Sequence, residues 1–233
     1  MKVVLHQPQY FPYPGFFHKL TLADAFVVLD NTQYDKRFTN RNKIWTPHGF
    51  VWLTVPIKKE HKFFSNNKVE INNNILWREE HWKKLFHSYS NTKFFKNYKL
   101  YFNDLFKKDW TFLFDLDFDT LKKTIEWLGI KIKIYKESEL NIDGTGTQRL
   151  INGCKALGAD TYISGTGLPN KKYLEEKSFE KNNIKLIYQN YHSVKYEQNS
   201  DVFVNDLSIL DLLFNKGPDS LKLISEFNGE SIN

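Results

Sequence analysis

Cysteine and methionine are nearly absent from this sequence, with one residue of each among 233. A single cysteine, Cys154, cannot form an intrachain disulfide or a multi-cysteine metal site. No apolar run approaches the roughly 20 residues that cross a bilayer, so no membrane span is expected. The N-terminal apolar run, Val3 to Leu5, ends after three residues, which is too short for a signal peptide. These absences predict a cytoplasmic protein.

Several common site motifs are missing as well. His81 and His87 lie six residues apart, which places them on different helix faces, and no metal site is predicted. Asp115, Asp117 and Asp119 lack the glycine and terminal glutamate of a calcium loop and predict a solvated loop or helix start. Neither a P-loop nor a dinucleotide fingerprint occurs. The net charge of +6 favours anionic partners, but the lysines are scattered and nucleic acid is not an expected partner.

Aromatic residues, in contrast, are abundant at 16% of the chain. They supply large buried areas in a core, and they also offer flat faces on which sugars and bases stack. Composition alone leaves both interpretations open.

Short apolar runs alternate with segments of helical period at both ends of the chain. Strands are predicted at 2–5, 25–30, 51–57, 130–135, 161–164 and 184–189. Helices are predicted at 16–23, 147–157, around 171–181, 204–214 and 218–227. Parallel strands need crossover helices, and this alternation supplies them. The pattern predicts an α/β fold with a mainly parallel sheet and flanking helices.

The middle of the chain has a helical period throughout. Trp82, Leu85, Phe86 and Tyr89 have the i, i+3, i+4, i+7 spacing of an amphipathic helix, and two similar stripes follow it. We therefore predict one α/β domain over 1–233, with a helical insertion or cap at about 77–128.

Distinctive polar segments follow four of the predicted strands. They begin at His6, Asp30, Ser164 and Asn190. Ligands of open α/β sheets bind beyond the carboxyl ends of the strands, so these exits predict one shared site. The alternative is that strand exits are polar and rich in turns in any fold.

Individual residues in these segments have two interpretations each. His6 could transfer a proton with a pKa near neutrality, or it could be a satisfied hydrogen-bonding residue beside the core. Lys36, Arg37 and Arg41 share a short loop with Asn40 that could hold a phosphate or could be merely solvated. The glycines after Ser164 could wrap a phosphate with backbone N–H groups, although they match no known phosphate motif.

Asp211 falls inside the apolar stripe of a predicted helix, together with Leu207, Leu210 and Phe214. A buried carboxylate needs a partner or a task. Asp211 is predicted either to accept hydrogen bonds from a strand-exit loop such as residues 10–15, as an anchor, or to position the His6 loop through that pairing.

Segments along nearly the whole chain resemble the WbqC-like family. The matching segments are 5–19, Asp30 with Gln33 and Tyr34, Asn40 with Arg41, 52–56, 162–165 with Tyr173, 196–198 and 207–217. The resemblance implies a role in bacterial surface-polysaccharide biosynthesis of the O-antigen type. The substrate it implies is a nucleotide-linked amino sugar whose amine receives an acyl or aminoacyl group. An acyl or aminoacyl carrier is then the second partner.

A weaker resemblance concerns the proline-rich turn and Gly15 after the first strand. This segment looks like the nucleotidylyltransferase superfamily, but Tyr13 and Phe16 stand where its two motif histidines would be. Aromatic rings cannot stabilise the charge on a pentacovalent phosphate. This weaker resemblance therefore implies the fold of the superfamily but not its adenylyl-transfer activity.

The expected catalytic residues are His6 as the base, Asp30 as its orienting partner, and Tyr10 or Gln7 as the oxyanion donor. Lys36 and Arg41 are expected to hold the diphosphate. The remaining expected substrate-binding residues are Gln33, Tyr34, Asn40, Ser164, Gly165 and Tyr173. No cofactor is obligatory. Two alternatives are an ATP-dependent ligase that activates a carboxylate, and a non-catalytic protein that binds sugar nucleotides.

Overall fold

A computed structural model describes residues 1–165, 174–193, 195–199 and 202–225 of the chain. Its strands are β1 (Lys2–His6), β2 (Ala25–Val28), β3 (Arg41–Thr46), β4 (Gly49–Thr54), β5 (Lys133–Lys136), β6 (Thr161–Ser164) and β7 (Lys185–Tyr188). Five of them form one parallel sheet in the order β5-β2-β1-β6-β7. The predicted α/β class is confirmed.

The first strand is the centre of the sheet. Val3 pairs with Ala25 of β2 on one side and with Tyr162 of β6 on the other. Val3, Val4 and Leu5 are all buried, as expected of a parallel strand that is covered on both faces. The chain continues from β1 to β2 in one direction and later reaches β6 in the other. The strand order therefore reverses beside β1, which is where open sheets bind ligands.

Helices cover both faces of this sheet. They are α1 (Pro14–Thr21), α2 (Trp77–Tyr89), α3 (Phe95–Lys107), α4 (Leu113–Leu128), α5 (Gly146–Ala156), α6 (Glu176–Lys181), α7 (Ile209–Lys216) and α8 (Ser220–Ser225). The three helices predicted in the middle of the chain are present at 77–128. The helix predicted from 204 begins only at Ile209, because the Ser208 side chain caps it and accepts a hydrogen bond from the Leu210 N–H at 3.3 Å. Parts of the helices predicted around 171–181 and at 218–227 lie outside the described residues.

A β-hairpin lies apart from the main sheet, and only its second strand was predicted. β3 and β4 pair antiparallel, from Arg41 opposite Thr54 to Thr46 opposite Gly49. The expectation that Arg41 belongs to a loop with Lys36 and Arg37 is therefore wrong. The hairpin ends before Pro56, which cannot donate a ladder hydrogen bond.

Two hydrophobic clusters line opposite faces of the sheet, as the alternation of side chains along a strand requires. Val4 and Phe26 join the larger cluster, which also contains buried residues of α1 to α4 and α7. Val3 and Leu5 join the smaller cluster, under α5 and α6. Core filling therefore accounts for many of the aromatic residues, among them Trp77, which is buried in the larger cluster.

Asp211 is fully buried, and its partner differs from the one expected. Its Oδ2 accepts a hydrogen bond from the Tyr196 hydroxyl at 2.7 Å, and burial raises the pKa of the carboxyl. Ser208 and Ile209 bind the loop at 10–15 instead: Ser208 Oγ donates to the Phe11 carbonyl, and the Ile209 N–H donates to the Pro12 carbonyl. Asp211 therefore ties α7 to the segment that precedes it.

Asp117 is the second buried carboxyl, and its solvated placement was predicted wrongly. It lies in α4 with no exposed surface, and neither of its oxygens has a hydrogen-bond partner in the described part of the chain. Burial raises its pKa well above the ordinary value. Folding therefore favours the protonated form of the Asp117 carboxyl relative to the unfolded chain.

We expect Asp117→Asn to stabilise the protein increasingly as the pH rises. A carboxyl group whose pKa is higher in the folded protein than in the unfolded chain stabilises the fold below its unfolded pKa. That contribution to the free energy of unfolding is lost as the pH rises towards the folded pKa. The gain over wild type should grow by up to about 1.4 kcal/mol per pH unit between pH 5 and 6. Urea denaturation at the two pH values measures it, with exposed Asp115→Asn as the control. A pH-independent difference would contradict a protonated Asp117.

Candidate functional site

An open cleft of about 400 Å³ lies at the carboxyl ends of β1 and β6, where the strand order reverses. Its lining includes the end of β1, the loop that follows it, Lys19 of α1 and part of the loop before β3. We call it the inner cleft; its polar and aromatic lining residues are His6, Gln7, Gln9, Tyr13, Lys19, Asp35, Arg37, Phe38, Thr39 and Tyr162, with Gly165 at the exit of β6.

A second cleft of about 770 Å³ shares Gln7 and Asp35 with the first. We call it the outer cleft, and the other residues that line it are Gln33, Tyr34, Lys36, Asn40, Ile57, Lys59, Lys62 and Phe63. The exit of β7 opens onto a third cavity of about 690 Å³, which shares Tyr13 and Phe38 with the inner cleft. The four strand exits thus surround neighbouring cavities, not a single one.

His6 ends β1 and lines the inner cleft. Its Nδ1 lies 2.9 Å from the Gln7 carbonyl oxygen, and because a carbonyl only accepts, the neutral ring carries its proton on Nδ1. Nε2 is then left with a lone pair. Burial, reinforced by the charge of Lys19, lowers the His6 pKa to about 3 although the Gln7 bond opposes this. The expected pKa near neutrality is wrong, and His6 is neutral at physiological pH.

Two of the expected catalytic residues do not line either cleft. Both carboxylate oxygens of Asp30 accept from Ser138, one from its N–H at 3.0 Å and one from its hydroxyl at 2.6 Å. Asp30 therefore connects the exit of β2 to Ser138, the second residue after β5, and does not orient His6. Tyr10 is fully buried, with its hydroxyl 3.1 Å from Nδ1 of His81. It belongs to the core and is not placed to act as an oxyanion donor.

The expected substrate-binding residues divide between the two clefts. Gln7 lines both, and its side-chain amide makes no hydrogen bond within the described residues. Gly165 lines the inner cleft; Gln33, Tyr34, Lys36 and Asn40 line the outer cleft. In the outer cleft, burial raises the pKa of Tyr34 to about 12.

Two further expectations are not met. Arg41 stacks its guanidinium 4.5 Å from the centre of the Trp52 ring and donates to the Arg37 carbonyl, so it lines neither cleft. Ser164 is buried, and its hydroxyl turns to the Gly165 carbonyl at 3.2 Å. Tyr173 lies outside the described residues.

Lys19 is the main residue that the sequence did not single out. It lies in α1, is only 4% exposed and lines the inner cleft. Burial lowers its pKa to about 7. The signal in the sequence was a lysine in a short helix of mostly apolar and aromatic residues between two buried strands.

Tyr13 and Phe16 occupy the positions that a nucleotidylyltransferase would give to histidine. Tyr13 lines the inner cleft, whereas Phe16 is buried with its ring 5.1 Å from the ring of His6, edge to face. Neither side chain carries a positive charge that could stabilise a phosphate. Among the described residues, no group of three histidine, cysteine or acidic side chains could hold a metal ion.

Comparisons with known proteins identify the protein family of the chain. A model of the WbqC-like protein family matches residues 7–223. The chain is also 30% identical over 227 residues to uncharacterized protein Rv1507c of Mycobacterium tuberculosis, and the match covers 95% of this chain and 97% of that protein. No solved structure matches the chain. In the part of the chain that the structure describes, no helix is both long and apolar enough to cross a membrane.

Proposed function

This chain belongs to the WbqC-like protein family, and we propose that it is a transferase that acylates the amine of a nucleotide-linked sugar for surface-polysaccharide biosynthesis of the O-antigen type. The acyl or aminoacyl group would come from a separate carrier. The residues proposed for the reaction are His6 and Gln7, which lie side by side in the inner cleft.

The observation that carries this proposal is the state of His6 at the end of β1. The Gln7 carbonyl fixes its tautomer, so that Nε2 can accept a hydrogen bond from an amine. The position, at the carboxyl end of a central parallel strand beside the reversal of strand order, is where open α/β sheets bind nucleotides.

The low pKa of His6 favours a role as a proton relay and not as a strong general base. We infer that the sugar amine enters the cleft uncharged and forms an N–C bond to the acyl carbon. The bond from that carbon to the carrier then breaks, and the amine proton passes through Nε2 of His6 to the leaving atom of the carrier. An imidazole with a pKa of about 3 releases this proton readily. The free amide of Gln7 is available to donate to the developing oxyanion.

Thermal unfolding with a panel of ligands tests the substrate class. A nucleotide-linked amino sugar at a hundredfold excess over its dissociation constant should stabilise the protein by about 2.7 kcal/mol. For a chain of this length we expect a rise in melting temperature of about 5–10 °C.

The ligands that stabilise the protein are then incubated with acyl and aminoacyl donors, and mass spectrometry detects the acylated sugar nucleotide. Stabilisation by ATP with Mg²⁺ alone would instead favour the carboxylate-activating ligase. Binding of the sugar nucleotide without turnover of any donor would favour the non-catalytic protein. The absence of any stabilisation by amino-sugar nucleotides would contradict the proposal.

A further inference from the structure

Within the described part of the chain, the inner cleft contains a buried lysine, Lys19, that has no counter-charge. The side chain of Lys19 makes no hydrogen bond or ion pair within the described residues, and its Nζ lies 5.8 Å from the centre of the Phe16 ring. Lysine side chains are almost never this buried unless they are paired. Because the remaining 4% of exposed surface belongs to a residue that lines the cleft, the missing partner must come from the cleft side.

The charges around Lys19 do not neutralise it. His6, which faces it from β1, is neutral. Asp35 is the acidic residue in the lining of the inner cleft, and its carboxylate is bound by Arg37, with Nη2 of Arg37 2.5 Å from Oδ2 of Asp35. The other titratable side chains of the cleft lining are tyrosines, Tyr13 and Tyr162, whose pKa values burial raises. The cleft therefore has a net positive character at its Lys19 side.

We propose that the inner cleft binds the diphosphate of a sugar nucleotide through the Lys19 ammonium, and that binding takes up one proton. The choice of a diphosphate rests on the proposed function; an anion site at Lys19 does not.

Proton uptake follows from burial. The pKa of Lys19 in the ligand-free protein is about 7, so at pH 8 most molecules carry a neutral amine. An anion within reach favours the charged form and raises the pKa. Binding at pH 8 should therefore take up about 0.9 proton, and the dissociation constant should rise about tenfold per pH unit above pH 7.

Calorimetric titration in two buffers with different ionisation enthalpies measures this uptake. The probes are UDP-glucose, GDP-mannose and dTDP-glucose, whose diphosphates do not titrate between pH 7 and 8.5. For wild type we expect uptake near one proton at pH 8, and for the exposed control Lys177→Met the same. Lys19→Met should lose at least tenfold in affinity at pH 7 and show no uptake.

Lys19→Arg separates charge from titration, because arginine stays charged at every pH used. It should bind the probe without proton uptake and with a dissociation constant that is flat from pH 7 to 8.5. Wild-type binding without proton uptake, unchanged uptake in Lys19→Met, or no binding of any probe would overturn the proposal. Because no acyl donor is present, failure of acyl transfer leaves this result unaffected, and the two proposals fail separately.

Discussion

Replacement of His6 by alanine should reduce acyl transfer about a thousandfold, within the range typical of a lost proton-transfer group. The loss should fall on kcat, because Lys19 and Gln7 still line the cleft and bind the substrate. The measurement is the rate of acylated sugar nucleotide formed, followed by mass spectrometry. His6→Gln should be nearly as inactive, since an amide can accept a hydrogen bond but cannot relay a proton.

Exposed His87 on α2 offers the matched control, and His87→Ala should keep full activity. Sugar-nucleotide binding and the melting temperature of His6→Ala should stay close to wild type, which separates a lost relay from a damaged fold. The pH profile gives a second check. His6 remains neutral from pH 5 to 9, so its titration should not appear in kcat over that range. Full activity in His6→Ala would remove His6 from the mechanism.

The sequence was informative wherever one local pattern decides the outcome. β6 matches the run predicted at 161–164. α4, predicted from its apolar stripe, is capped by Gly129, whose φ of 70° suits glycine. The carboxyl ends of parallel strands share one edge, so the clefts could be located from strand exits alone. β3 was missed because its buried face begins with the polar Asn42 before Ile44, so the sequence lacks the apolar alternation that marks a strand.

The roles of individual residues depend on packing that no local pattern contains. Asp30 looked like a partner for His6 because both residues end neighbouring predicted strands. Ser138, 108 residues away, instead donates hydrogen bonds to both carboxylate oxygens of Asp30. Lys19 acquires its near-neutral pKa only because the folded chain buries its side chain beside the inner cleft. Desolvation of this kind arises from the tertiary structure and leaves no signature in spacing.

Removal of Arg149 should lower the free energy of unfolding by about 3 kcal/mol, because the buried carboxylate of Glu137 then loses its positively charged partner. Glu137 has a side chain with no exposed surface, and its Oε1 accepts from Nη1 of Arg149 at 2.8 Å. Its Oε2 accepts from the Asn31 N–H at 3.1 Å. Arg149→Ala should lower the melting temperature by about 6–12 °C at neutral pH. Calorimetry and urea denaturation measure the two quantities.

The pH dependence of this loss identifies its cause. Burial already raises the pKa of Glu137 against the pull of Arg149, and without Arg149 the pKa rises further. A carboxyl group whose pKa is higher in the folded protein stabilises the fold below its unfolded pKa, and this contribution is lost as the pH rises. The stability that Arg149→Ala loses relative to wild type should therefore be largest at pH 7–8 and should shrink towards pH 5.

Two variants complete the argument. Lys123→Ala breaks the exposed pair with Glu126 and should change stability by no more than about 0.5 kcal/mol. Addition of Glu137→Gln to Arg149→Ala should recover part of the loss, since a neutral amide is cheaper to bury than a charge. The remaining loss would then report the other contacts of Arg149, among them the hydrogen bond that its Nε donates to the Gly144 carbonyl at 2.8 Å. An Arg149→Ala deficit as small as that of Lys123→Ala would mean that Glu137 is not buried as a charged group.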